Sequence, residues 1–391
     1  MKSLLLPCWL LSATLFLVFA VLTSAVDRAS CQKSSKEDPI KVCPPNTVIV
    51  GRTGKFQTIQ SAVQSIPKDN TPYTILIQPG TYREQVNITR PGPLTLLGST
   101  SNPNTHTSNT VTIIWKASEG SGGKGGDNAF TSTLTVAPNL DAALTGAGPT
   151  GHAVSKATPF GNTDFRAYNI NFSNEGHSGP SLAVSISYAN AGFYFCSTKS
   201  FQDTVYVGKI GSALFHGGEV AGETDFFYGF GTAWVQSAIV SLRGCGGGIT
   251  AWKGTETTFP NKYGVYVHDS QVKKAGSVKS GGCALGRPWN ALHRSIFAKT
   301  HLDDSIRTEG YIKWSGNDGH ISGKTFMAEY ANTGPGFNKA GRSKGPGKVL
   351  SDAEYEPYST MEKVFQFMNG TYGNVRWIDR NPGGFVAGDT E

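Results

Sequence analysis

Charge is sparse in this chain. Asp, Glu, Lys and Arg make up 16 % of the 391 residues, well below the usual quarter or so. The 35 Lys+Arg against 28 Asp+Glu leave a formal +7 with no long basic run. A scattered positive charge is not the stripe that nucleic acid requires, so nucleic acid is not expected as a partner. The mild positive balance suits an acidic polysaccharide instead. Cys-x-x-Cys and His-x-x-x-His spacings are absent, which excludes a structural zinc site or a zinc protease, and no metal is expected. Beyond the first 25 residues no stretch is apolar enough to span a bilayer.

That first stretch is different. Met1-Lys2 leads into a nearly unbroken apolar run from Leu4 to Leu22, followed by the small residues Thr23-Ser24-Ala25. It reads as a secretory signal peptide over residues 1–25, cleaved after Ala25, rather than as an uncleaved anchor. A secreted, extracellular location follows, with no membrane association after cleavage. The sequons at Asn87, Asn171 and Asn369 fit that route. Of the five cysteines that remain, Cys31 and Cys43 can close a local loop. Cys196, inside Phe193-Tyr194-Phe195-Cys196, reads as a buried free thiol. The pairing of Cys245 and Cys283 stays open.

What the chain has in abundance is glycine, 48 residues, or about 12 % against a typical 7 %. Set among β-branched and aromatic residues, it argues against a helical bundle and for many short strands joined by turns. Residues 26–45 read as an extended N-terminal arm. Strand-like runs then follow at 47–50, 73–78, 94–98, 110–115 and 131–136. One helix is predicted over residues 58–66, where Ile59, Ala62, Val63 and Ile66 share a face and Pro67 stops it. Such a helix ahead of a strand series would cap an open β-stack. Residues 120–126 and 339–348 read as loops. Phe193-Tyr194-Phe195 finds an echo around Phe215, 22 residues on, and another around Trp234-Val235. A period of about 20–25 residues with strand content is a β-solenoid signature, in which equivalent residues stack ~4.8 Å apart.

Two acidic residues sit one such period apart, Asp203 in Gln202-Asp203-Thr204 and Asp225 in Asp225-Phe226-Phe227-Tyr228-Gly229. Stacking would put both carboxylates on one face. Two close carboxylates do not ionise together readily, so one serves as a general acid and the other as nucleophile or base.

Here the residues resemble a known family, the pectin methylesterases or pectinesterases. Gly80-Thr81-Tyr82-Arg83-Glu84 is similar to the family's Gly-x-Tyr-x-Glu. Phe201-Gln202-Asp203-Thr204 resembles its Gln-Asp-Thr motif, and residues 225–229 its Asp-Phe-Ile-Phe-Gly. Leu285-Gly286-Arg287-Pro288-Trp289 matches its Leu-Gly-Arg-Pro-Trp. Residues 329–336, Glu-Tyr-Ala-Asn-Thr-Gly-Pro-Gly, look like its C-terminal motif. The ordered set spans about residues 47–380, and the lack of a long N-terminal inhibitor-like region looks closer to the fungal or microbial members. The resemblance implies an all-β fold, a single-stranded right-handed parallel β-helix over residues 46–391 with a short N-terminal capping helix. It implies a secreted, monomeric carboxylic ester hydrolase of the extracellular space or cell wall that converts methyl-esterified polygalacturonate (pectin, homogalacturonan) and water to pectate and methanol, without a cofactor.

Carried over residue by residue, the resemblance makes Asp225 the nucleophile on the ester carbonyl. Asp203 protonates the leaving methanol and then deprotonates the water that hydrolyses the acyl-enzyme. Gln202 donates to the oxyanion, a contribution typically worth about 10²–10³ in rate. Arg287 orients Asp225 and holds it ionised. Trp289 offers a sugar ring a flat apolar face, with Tyr228 as a second wall.

One position departs from the pattern. The family's Gln-Ala-Val-Ala-Leu motif falls on Pro180-Ser181-Leu182-Ala183-Val184, so proline stands where the first oxyanion glutamine belongs. Proline has neither a side-chain donor nor an N–H. Either the Ser181 hydroxyl substitutes, or Gln202 suffices alone, or the chain is slow, or it is a catalytically impaired pectin-binding protein.

Other readings of the residues fail. Polygalacturonase-like fragments at Asn162-Thr163-Asp164, Asp303-Asp304 and Gly319-His320 lie too far apart to build a paired-carboxylate site. Gly341-Arg342-Ser343-Lys344-Gly345 fits Gly-x-Ser-x-Gly, but it sits in a loop and no histidine follows His320. Asp303-Asp304 alone is too thin for a calcium-dependent lyase.

Overall fold

The computed structural model describes residues 28–33, 42–119, 126–314 and 320–383. The signal-peptide reading of residues 1–25 lies outside them. Among the described residues the strands form three parallel sheets, of eleven, eight and six strands, visited in turn as the chain winds. One full coil shows the pattern. Asn190–Tyr194 lies in the eleven-stranded sheet, Ser197–Lys199 in the eight-stranded and Val205–Val207 in the six-stranded. Ser212–His216 then returns to the first sheet, in register with Asn190–Tyr194.

The corner between the eleven- and eight-stranded sheets is a single left-handed residue, repeated coil after coil. Asn169, Phe195, Gly217, Ser237, Asp269, Lys299 and Ala331 occupy it, with φ between 45° and 66°. One residue at positive φ turns the strand sharply enough to start the next sheet without a loop.

The interior is built from stacked identical positions. Ala167, Phe193, Phe215, Val235, Val267 and Phe297 follow one another in register inside the core. The rings of Phe193 and Phe215 lie 4.8 Å apart and 4° from parallel. The repeat read from these aromatics is therefore one coil. The opposite face of the same sheet carries Tyr168 and Tyr194 in one row and Leu214, Trp234, Tyr266 and Ile296 in another. It is buried all the same, under the C-terminal Leu350, Tyr355, Val364, Phe365 and Trp377. Covered on both faces, these strands read as continuous apolar runs instead of alternating ones.

Both ends of the core are closed by motif residues. The helix Ile59–Ser65 buries Ile59, Ala62 and Val63 against the first coil. Its free N-terminal amides, Ile59 N and Gln60 N, donate to Glu84 at 2.8 and 2.9 Å, satisfying donors that a helix start leaves open. At the far end the Phe297 row passes through Glu329 to Val349, and Glu329 is buried against Arg342 and accepts from Asn332 Nδ2 at 3.0 Å. These two motifs hold the ends of the stack and lie outside the candidate site.

Three expectations need correction. Residues 339–348 are not all loop, because Lys339–Arg342 forms a helical turn and Lys348–Val349 pairs as a strand, while residues 120–125 of the other expected loop lie outside the described residues. The arm is not extended throughout, because Arg28–Lys33 forms a helical turn. The Cys31–Cys43 disulfide pins it, and buried Gln32 donates to Gly98 O and Asn169 Oδ1, both at 2.9 Å. The strand expected at 131–136 begins only at Leu134, because Asn128–Thr131 is a 3₁₀ turn capped by Asp127. A second disulfide joins Cys245 to Cys283, and Cys196 is a buried free thiol whose pKa burial pushes up to about 12.

Candidate active site

Asp203 and Asp225 occupy equivalent corners of adjacent coils, between the eight- and six-stranded sheets. The parallel bridges Pro180↔Gln202 and Gln202↔Thr224 set the register, and Asp203 N donates to Thr224 O at 3.3 Å. Both aspartates are left-handed, with φ of 59° and 51°, a conformation Asp tolerates better than most residues. The turn aims both carboxyls into a cavity of about 370 Å³. Gln202, Pro180, Tyr228, Arg287 and Trp289 line it as well, so all six residues named from the sequence for catalysis and sugar binding converge on it. Ser181 does not line it. Its side chain is fully buried and its Oγ finds no partner among the described residues, so the hydroxyl is not placed to substitute for a glutamine at 180.

Arg287 reaches Asp225 with two parallel bonds, Nε to Oδ1 at 3.1 Å and Nη2 to Oδ2 at 2.7 Å. The Leu285–Trp289 segment is placed for this by continuing the six-stranded sheet, with Thr250↔Gly286 as a bridge and Arg287 N on Thr250 O at 2.9 Å. Gly247 makes room, since a Cβ there would fall 2.4 Å from the guanidinium carbon. The guanidinium carbon lies 3.9 Å from the centre of the Trp314 ring, which meets Trp289 edge-on.

The two carboxyls are 6 % and 2 % exposed, and burial pushes both above the usual carboxylate range. Asp203 is displaced further, because Asp225 and Glu119 face it and only Lys253 and Arg287 oppose them from a distance. Asp225 has the Arg287 fork in direct contact, which works against its burial. The proton of the pair therefore belongs to Asp203.

Sequence reasoning missed three participants. Lys253 is 1 % exposed yet lines the cavity. Its Nζ donates to Gly148 O at 3.0 Å and lies 3.4 Å from Tyr228 Oη, among the rings of Tyr228, Phe230 and Trp289. Burial brings its pKa down to about 8, against the pull of Asp203 and Asp127. A lysine closing the apolar run Ile249-Thr250-Ala251-Trp252 was the available signal. Trp314 and Asn128 carried none, since each stands in an irregular segment far from the acidic motifs.

Other candidates are not assembled. Asn162 holds Arg90 O and Gly92 O, Asp164 pairs with Arg166, and Asp304 with Lys274. Gly319 lies outside the described residues, and His320 bonds Trp289 O. Ser343 is an exposed residue at the end of the turn Lys339–Arg342. No group of three or more His, Cys, Asp and Glu side chains suited to a metal occurs among the described residues.

The sequence profile of the pectinesterase family matches residues 142–370. Among curated proteins, Pectinesterase A of Emericella nidulans is 28 % identical over 301 residues, 76 % of this chain and 82 % of that protein. A probable pectinesterase A of Aspergillus niger is 28 % identical over 366 residues, 93 % and 97 % of the two chains. The solved pectin methylesterase from Aspergillus niger superposes with a TM-score of 0.68 at 25 % identity, covering 87 % of this chain and 98 % of that one. The carrot enzyme, at 22 % identity and a TM-score of 0.62, shares the fold. That shared fold is the parallel β-helix, and with the profile covering more than half of its length the chain belongs to the pectinesterase family of ester hydrolases.

Proposed function

We propose that this chain removes methyl esters from pectin with Asp225 as nucleophile and Asp203 as acid and then base. The observation that carries this reading is the two-point bond from Arg287 to Asp225, one coil from a more strongly protonated Asp203 in the same cavity. Asp225 Oδ adds to the ester carbonyl carbon. The tetrahedral adduct collapses to a mixed anhydride as the methoxyl oxygen takes the Asp203 proton and leaves as methanol. Asp203, now a carboxylate, takes a proton from water while the hydroxide adds to the galacturonyl carbon. Expulsion of Asp225 restores both residues, and the new carboxylic acid releases one proton to solvent. Gln202 faces the reacting carbonyl, while Trp289 and Tyr228 serve as cleft walls for a sugar ring. A pectin methylesterase of the same fold has been solved with a hexasaccharide, which supports a polysaccharide partner.

Secretion fits the N-terminal apolar run and the two disulfides, which suit an oxidising compartment. No helix among the described residues is long and apolar enough to cross a membrane. A monomer is the expected state.

A pectin-binding protein without turnover is the second reading, favoured by one observation: Pro180 lines the cavity and offers no donor. Methanol and proton release from highly methylated pectin, with Asp203→Ala and Asp225→Asn as blanks, decide between the two. Release lost in both variants supports the esterase. Saturable pectin binding without release supports the binder, and unchanged release in Asp225→Asn overturns the nucleophile assignment.

A further inference from the structure

An ester carbonyl under attack by a carboxylate gathers negative charge, here in a cavity already lined by Asp203, Asp225 and Glu119. Preorganised N–H donors must meet that charge. Most donors around the cavity are committed elsewhere. Arg287 Nε and Nη2 are on Asp225, Lys253 Nζ places two of its three hydrogens on Gly148 O and Tyr228 Oη, Trp289 Nε1 is on Gly148 O, and the Thr145 and Gly146 amides are on Asp127. Pro180 contributes none. Two side-chain amides remain. Gln202 makes no side-chain hydrogen bond among the described residues, and Asn128 makes a single long one, Nδ2 to Asp203 Oδ2 at 3.4 Å.

Asn128 is rigidly mounted. The preceding Asp127 carboxylate accepts four bonds, from Ala129 N at 2.8 Å, Thr145 N and Oγ1 at 3.0 Å each, and Gly146 N at 2.7 Å. Thr131 Oγ1 donates to Asn128 O at 2.8 Å and accepts Leu182 N at 3.0 Å. The 3₁₀ turn that presents Asn128 is thus tied to the very coil that carries Pro180. An amide NH₂ has two hydrogens, so one can stay on Asp203 Oδ2 while the other points into the cavity.

We propose that Asn128 is a catalytic residue, whose Nδ2–H donates to the carbonyl oxygen of the galacturonate methyl ester and supplies, with Gln202, the pair of donors that Pro180 leaves incomplete. Its bond to Asp203 Oδ2 also leaves Oδ1 to carry the acid proton. The inference rests on Asp225 as nucleophile. Asp225→Asn, measured alongside, keeps the two separable: a variant that turns over normally overturns that reading, whereas its loss leaves the Asn128 result to speak for the amide alone.

The test is kcat for methanol release in Asn128→Ala and in Asn128→Leu, which keeps the shape and removes both donors. A fall of about 10²–10³ in each is expected, with KM within about threefold and an unchanged melting temperature. Placing an amide back on the neighbouring coil, Asn128→Ala with Pro180→Gln, should recover at least about tenfold, a rescue that a merely structural Asn128 would not allow. Should the double variant not fold, the donor-less Asn128→Leu decides on its own. Wild-type kcat in either folded single variant overturns the proposal. So does a loss accompanied by a lowered melting temperature and no rescue by glutamine at 180.

Discussion

Gly247 and the Arg287 guanidinium are in such close approach that the space for a single methyl group separates a gripped Asp225 from a released one. Gly247→Ala should therefore silence the enzyme without unfolding it. The glycine's φ is not in the left-handed region, so alanine fits the backbone, and the guanidinium tip must move. Methanol release should fall at least about tenfold, the scale of one lost charge-assisted bond of about 1.5–3 kcal/mol, with the melting temperature within a few degrees of wild type. Wild-type turnover would show that Arg287 finds Asp225 by another path.

Lys253 faces Asp203 and lowers its pKa, as Arg287 does, while Asp225 and Glu119 raise it. Replacing the lysine removes one of the two opposing charges, so Asp203 should hold its proton to higher pH. In Lys253→Met the alkaline limb of the pH–rate profile should move upward. Lys209→Met serves as the control, since Lys209 Nζ anchors the same loop at His152 O and does not line the cavity. A limb that stays in place in Lys253→Met, or moves equally in both, would reduce Lys253 to a loop anchor.

Asp203 should also destabilise the fold it serves. Its native pKa is raised above the unfolded value, so its favourable contribution is complete below the ordinary carboxylate range and is lost as pH rises through the native pKa. Asp203→Asn removes the titration. The variant should gain stability over wild type at pH 7–8, by roughly 1–3 kcal/mol, and lose that advantage near pH 4. Urea unfolding at the two pH values measures it, and an equal difference at both would contradict the sign.

The Cys245–Cys283 disulfide flanks the site on both sides. Cys245 precedes the glycines whose Gly248 O accepts Asp225 N at 2.6 Å, and Cys283 precedes the Leu285–Trp289 segment. Cys245→Ser with Cys283→Ser should cost about 2–5 kcal/mol and reduce kcat in the protein that remains folded. Cys31→Ser with Cys43→Ser should cost stability of similar size and leave kcat unchanged. Equal kcat in both pairs would place the second disulfide outside the site's support.

Much of this could be read from the residues. Phe193 and Phe215 announced the coil because identical side chains stack on identical neighbours, and Asp203 and Asp225 shared its period. Ile59, Ala62, Val63 and Ile66 gave the capping helix by their spacing. What escaped was brought in by irregular segments. Asn128 stands at the end of a glycine-rich stretch and reaches Asp203 across 75 residues, and no local pattern records such a contact. Lys253 escaped because a charged side chain at the end of an apolar strand is ordinarily exposed; only the assembled rings of Tyr228, Phe230 and Trp289 account for its burial. The turn Arg28–Lys33 owes its shape to a disulfide and to Gln32, not to its propensity.

The corner that carries Asp203 and Asp225 separates two design variables that most enzymes entangle. The rise from one carboxylate to the next is fixed by main-chain pairing between coils, as between Gln202 and Thr224, and side-chain repacking has little purchase on it. The walls of the cleft come from excursions between strands, such as the residues around Asp127 and Gly148. Insertions and deletions there can reshape which stretch of polymer is admitted while the distance between the two carboxylates stays constant. Preference is thus adjustable without retuning the reaction, because the scaffold itself is the measuring rod.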